Sequence, residues 1–119
     1  MVTINLFGTT YEIKKSKYMN ERLALILVND RKEYVATLSQ NIEDALLMSE
    51  ALGESNHTEF FVNHLDFYDY VDVLDELEKT NLFRKENDDL LIKGNVRSGF
   101  NTYLLIEIKE SILDEMEEY

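Results

Sequence analysis

The clearest periodicity in the chain lies between residues 65 and 82. Apolar side chains at Phe67, Tyr70, Val71, Leu74 and Leu77 follow the i, i+3, i+4, i+7 spacing of one helix face. This predicts a helix over 66–80. Asp66 is placed to cap it, and Asp69, three residues on, to reach back in a capping box. Leu65 and Tyr70 would form the hydrophobic staple. Lys79 suits the negative end of the helix dipole, and Asn81 tolerates the left-handed conformation that follows many helices.

Elsewhere the period is two. Residues 2–7 and 10–14 alternate as strands around a hairpin turn at Phe7-Gly8-Thr9-Thr10. Residues 14–21 are polar and lysine-rich and read as a loop. Residues 22–29 are almost wholly apolar and predict a central strand. A turn at 29–32 returns the chain into a strand over 33–39, which completes a meander of four strands. Asn41 can cap a helix over 42–52 with Gly53 as its stop; an extended acidic insert is the alternative. Residues 58–62 predict a strand that enters the 66–80 helix. A polar turn at 85–89, a short strand at 90–92, a turn at 94–99 and a strand over 100–108 follow. Ile108, Ile112, Leu113 and Met116 make a last helical stripe. Its end carries acid at the wrong pole of the dipole, so it is expected to fray. The expected fold is α+β: one domain over 1–119, with an antiparallel meander-based β-sheet packed with two or three helices on one side.

Composition narrows the function classes. Hydrophobic residues make up 45% and charged residues 30% of the 119 residues, so the chain is expected to fold rather than stay disordered. Cysteine is absent. That removes disulfides, thiolate zinc sites and cysteine nucleophiles, and fits a reducing cytoplasm. The longest apolar run, residues 23–28, is far shorter than the roughly 18–20 residues of a membrane span. The first residues resemble neither a signal nor a transit peptide.

The net charge of −12 is unevenly distributed. Residues 1–40 carry six basic and four acidic side chains; residues 41–119 carry six basic and twenty acidic ones, net −14. Direct binding to DNA or RNA is disfavoured, and an acidic field attracts a basic protein instead. On the 66–80 helix, Asp69, Asp72 and Glu76 project together opposite the apolar stripe, with Asp75 and Tyr68 on its shoulder. Asp72 and Glu76 are like charges at i, i+4, a spacing that costs about 0.2–0.5 kcal/mol. Asp75 and Lys79 form the one well-placed opposite pair. The face is either a solvated surface or one shaped for a basic partner. Asp69, Asp72, Asp75, Glu76 and Tyr68 are therefore the candidate partner-binding residues, with tyrosine favoured at interface hot spots.

Catalytic patterns are weak. The two histidines, His57 and His64, lack any metal-site spacing. Residues 94–99 carry the glycine spacing of a phosphate loop, but Phe100-Asn101 follows where Lys-Ser/Thr is required. Glu12–Lys14 and Glu107–Lys109 are the Glu-x-Lys pairs that metal nucleases use with an upstream Asp, at loose spacing. Asp88-Asp89 reads as a solvated turn. The sequence assigns no catalytic residue, no metal site and no cofactor.

Three segments occur together in a familiar order: Phe7-Gly8-x-x-Tyr11; Tyr34-Val35-Ala36-Thr37-Leu38-Ser39-x-Asn41; and Phe60-Phe61-Val62-Asn63 with Ser98-Gly99-Phe100-x-x-Tyr103. In that order they resemble a family of small uncharacterised proteins from phages, plasmids and conjugative elements of Gram-positive bacteria, over about residues 4–108. The acidic segment 42–57 and the tail after 108 look like additions to its pattern. Small acidic proteins of such elements include inhibitors of host defence nucleases, among them anti-CRISPR proteins of type II systems. The resemblance thus implies a non-enzymatic inhibitor in the host bacterial cytoplasm that binds a basic type II CRISPR nuclease or its guide-RNA complex. Carboxylates on a rigid helix would act there as an approximate nucleic-acid mimic. The alternatives are a metal-dependent nuclease acting on guide RNA or DNA, and a non-enzymatic structural or regulatory protein of the element. An exposed edge strand in the meander would allow a homodimer.

Overall fold

The computed structural model describes residues 1–54, 58–66 and 68–119. His57 and Phe67, both used in the sequence reading, lie outside the described residues. The architecture is α+β, and the described residues form antiparallel sheets of four, four and two strands.

The first sheet is the expected meander, in the order β1 (Val2–Leu6), β2 (Thr9–Lys17), β3 (Leu23–Val28), β4 (Tyr34–Thr37). β1 alternates buried and exposed residues strictly, as one face of a half-buried strand requires. β3 is almost wholly buried and central, as its apolar run predicts. β2 runs on through Lys17, so the lysine-rich stretch read as loop is mostly strand. Each of its lysines pairs a residue of β3, with Lys14 facing Ile26 and Lys17 facing Leu23. Phe7 and Gly8, with φ of 53° and 84°, supply the left-handed pair of a tight two-residue hairpin.

The second sheet has the order β5 (Ser39–Gln40), β6 (Glu59–Val62), β10 (Asn101–Glu107), β9 (Gly94–Ser98). The segment read as a turn at 94–99 is therefore mostly strand, and the reversal is confined to Gly99 and Phe100. The two sheets are stitched at the fully buried Leu38, between β4 and β5. Its N–H donates to Leu25 C=O and its C=O accepts from Asn63 N–H. A small hairpin, β7 (Lys85–Glu86) with β8 (Asp89–Leu90), turns through left-handed Asn87 and Asp88.

Among the described residues three helices complete the fold: α1 (Met48–Ala51), α2 (Tyr70–Glu78) and α3 (Glu110–Glu115). They do not share one side. Phe60, Val62 and Ile106 face the main core with Val73 and Leu77 of α2. Phe61 and Leu105, the alternate residues of the same strands, face a second cluster with Ile42 and Leu47. Residues 42–52 thus cover the opposite face of the second sheet. The helix expected there is one turn long. The Arg22 guanidinium donates to Ile42 C=O and Ala45 C=O and grips the Glu50 carboxylate through two nitrogens, which holds residues 42–47 in an irregular path. Gly53 ends the turn as expected. It is left-handed, with its own N–H on Glu50 C=O and that of Glu54 on Ser49 C=O. The chain's end, expected to fray, is tied to β2 by hydrogen bonds from Lys15 N–H to Glu117 C=O and from Tyr119 N–H to Lys15 C=O.

Candidate functional site

α2 starts later than its sequence suggests. Asp69, not Asp66, stands at the N-cap, in extended conformation and with no side-chain capping bond. Two aromatic anchors fix that start. The Tyr68 ring stacks flat on Phe7, centroids 3.8 Å apart and planes 4° off parallel. The Tyr70 hydroxyl donates to Val62 C=O at 2.7 Å and accepts Leu104 N–H at 2.9 Å, joining the helix to β6 and β10. Burial pushes that phenol up to about 12. His64 stacks on Tyr70 at 4.0 Å and meets Tyr103 edge-on at 5.0 Å. At the other end, Thr80 terminates the helix through its hydroxyl and N–H on Leu77 C=O, and Asn81 has no left-handed role.

The later start changes the buried face. Tyr70, Val73, Leu74 and Leu77 now form the i, i+3, i+4, i+7 stripe, while Val71 is 66% exposed. The acidic residues rotate with it. Asp72 and Asp75 are exposed, and Asp69 is exposed at the N-terminus. Glu76 is turned away from this surface: its side chain is only 12% exposed and accepts the backbone N–H of Phe7. It also takes Lys79, at 2.6 Å, so the expected Asp75–Lys79 pair gives way to an i, i+3 pair. Lys79 first, then the Phe7 N–H, hold the Glu76 carboxyl below its usual range. Of the five candidate residues, Asp69, Asp72, Asp75 and Tyr68 thus remain accessible, and Glu76 is a positioning group for the β1–β2 turn. Asp69, Asp72 and Asp75 make no ion pair among the described residues.

The residues considered for metal chemistry are arranged otherwise. Glu107 and Glu59 face each other across β10 and β6, both buried. Lys93 lies between them, paired with Glu59 and 3.5 Å from Glu107. Thr58 donates to Glu107 at 2.8 Å, and Ser49 N–H donates to Glu59 at 2.8 Å. Burial works against charge on Glu59, but the Lys93 ammonium and the Ser49 N–H outweigh it and hold the carboxyl below its usual range. Burial likewise opposes charge on Lys93, and Glu59 and Glu107 together keep its ammonium above the usual lysine value. Glu12 is also buried and pairs with Lys32, not Lys14. Among the described residues no group of three or more histidine or acidic side chains is placed to hold a metal ion. Sequence reasoning missed the Glu59–Lys93–Glu107 network. Its members are 34 and 14 residues apart in sequence, and only strand pairing joins them.

No helix among the described residues is long and apolar enough to cross a membrane. Comparisons of the chain with protein-family models, curated proteins and solved structures return no match.

Proposed function

We propose that this protein is a non-enzymatic inhibitor of a host defence nuclease, a type II CRISPR effector, and that it acts in the bacterial cytoplasm by binding through the acidic face of α2. The observation that carries the reading is the state of Asp72 and Asp75. They are exposed beside each other on a helix whose opposite face is locked into the core, and neither has an ion-pair partner among the described residues. Carboxylates without internal partners are free to meet external cations, and a rigid helix presents them at low entropic cost. The net −14 of residues 41–119 adds the long-range attraction that speeds encounter with a basic protein. The resemblance to small proteins of mobile elements supplies the class of target. Tyr68, stacked on Phe7 and 47% exposed, is a pre-ordered aromatic at the edge of this face.

The test is co-elution of the purified protein with a type II CRISPR nuclease, with and without guide RNA, at low and high salt, beside a DNA-cleavage assay. A salt-sensitive complex that stops cleavage, and that D69K/D72K/D75K abolishes, is the expected result. A folded triple variant that inhibits as well as the parent sinks the acidic-face reading. Absence of both complex and inhibition points to a structural or regulatory protein of the element.

A further inference from the structure

The acidic face of α2 has a neighbour at its N-terminal edge. Between the β1–β2 hairpin, the edge strand β4 and residues 65–68 lies a groove of about 290 Å³. Its floor is Leu6 and Leu27, both buried. Three aromatic rings also line it: Phe7, Tyr11 and Tyr68. Tyr11 pairs with Ile4 across the hairpin and so shares the core-facing side of the sheet with Leu6. Phe7 and Tyr68 come to the same place through their stack, one from the hairpin and one from the approach to α2.

The charged residue on this lining is acidic. Asp66 is exposed and makes no ion pair among the described residues. The helix cap expected of it falls to Asp69, so its carboxylate has no part in starting α2. An apolar occupant would strip water from that carboxylate and return nothing. A cation would gain twice, from the carboxylate and from the negative faces of the rings. Arginine suits such a site better than lysine, because its planar guanidinium stacks on aromatic rings and binds a carboxylate through two nitrogens. Its methylene stem can lie on the apolar floor. The volume is just below the roughly 300–1,000 Å³ of small-molecule pockets, which favours a single side chain. Tyr68 joins the groove to the α2 face, where Asp69, Asp72 and Asp75 follow at steps of about 4.5 Å.

We propose that this groove takes one arginine side chain of the basic protein that α2 binds, and that further cations of that partner then lie along the helix. The identity of the partner rests on the reading of α2 given above. The capture of an arginine does not, and is measured separately.

The probe is N-acetyl-arginine methylamide, titrated into the isotope-labelled protein at 0.15 M salt and followed by amide chemical shifts. Saturable shifts are expected at Phe7, Tyr11 and Asp66. The lysine, citrulline and norleucine analogues should each bind at least fivefold more weakly. D66N and, separately, Y11L should lower affinity fivefold or more, while D72N/D75N changes it less than twofold. If Y11L lacks a native circular-dichroism spectrum, D66N at its exposed site decides. Absence of saturable shifts, equal binding of the citrulline or lysine analogue, or insensitivity to D66N overturns the proposal. So does a parent protein that sediments as a dimer which D66N makes monomeric, since a second copy would then fill the groove. In the nuclease assay D66N should weaken inhibition at least fivefold. An inhibiting parent with an equally inhibiting D66N overturns the docking role and leaves the α2 reading standing. A parent that inhibits nothing overturns the α2 reading, and the arginine titration still decides the groove.

Discussion

The Glu76 carboxylate accepts the backbone N–H of Phe7, a residue 69 positions earlier in the chain. Phe7 occupies a left-handed conformation that a side-chain-bearing residue rarely adopts, at the tip of the β1–β2 hairpin. Its ring is held by Tyr68 and its N–H by Glu76, so the first hairpin and α2 order each other.

Removing that carboxylate should loosen both elements. Glu76→Ala is expected to lower the urea midpoint of unfolding and to weaken amide-exchange protection at Phe7 and Gly8. Asp72→Ala, one turn away on the open face, should leave both unchanged.

The buried network predicts a stability profile with two edges. Glu59 has a lowered carboxyl in the folded state, so its contribution is complete above the ordinary value of 4.5 and declines as pH falls toward the folded value. Lys93 is raised when folded, so its contribution is complete below 10.5 and is lost as pH climbs through the folded value. Thermal melts across pH should therefore show a plateau between those two values that falls away on either side.

Lys93→Met leaves Glu59 buried without its cation. Breaking a buried pair in this way costs about 3–5 kcal/mol. Urea titration should show that loss, and adding Glu59→Gln should recover part of it, because the stranded charge is then gone. The same geometry makes Glu107→Gln a poor probe of nuclease chemistry, since it disturbs Lys93 and Thr58 whatever the protein does.

Charge reversal at Asp72 and Asp75 should separate folding from function. Neither side chain makes an ion pair among the described residues, so the unfolding midpoint should hold, while inhibition of the nuclease target disappears. A drop in stability equal to that of Glu76→Ala would place these groups in the fold instead.

The choice of helix face is itself testable. Val73→Ala removes two buried methyl groups and should cost about 1.5 kcal/mol, at about 0.8 kcal/mol each. Val71→Ala, at an exposed site, should cost almost nothing. The sequence allows both faces, because Phe67-Tyr70-Val71-Leu74 and Tyr70-Val73-Leu74-Leu77 are the same pattern shifted by three residues. Local periodicity cannot choose between them. The choice is made by Tyr68 and Tyr70, whose partners Phe7 and Leu104 lie far away in sequence. The meander, its first hairpin turn and its central strand were legible because hairpin contacts are local and alternation exposes them. Residues 42–52 misled because one arginine twenty residues earlier takes two of their carbonyls. Residues 94–98 misled because their glycine and polar content suits a turn, and only their pairing with β10 makes them a strand. Of the candidate site, the exposed aspartates were readable from spacing, whereas Glu76 was misplaced by the same three-residue shift.

Val2 pairs with Ile13, while Glu118 bridges to Lys15 two positions further along the same strand. Both ends of the described chain thus run beside β2, at pairing positions two residues apart. A short peptide joining Tyr119 to Met1 would close the backbone into a circle with little distortion, and new ends could then be opened at the β7–β8 hairpin. Such permutants would carry the α2 face on a chain cut elsewhere.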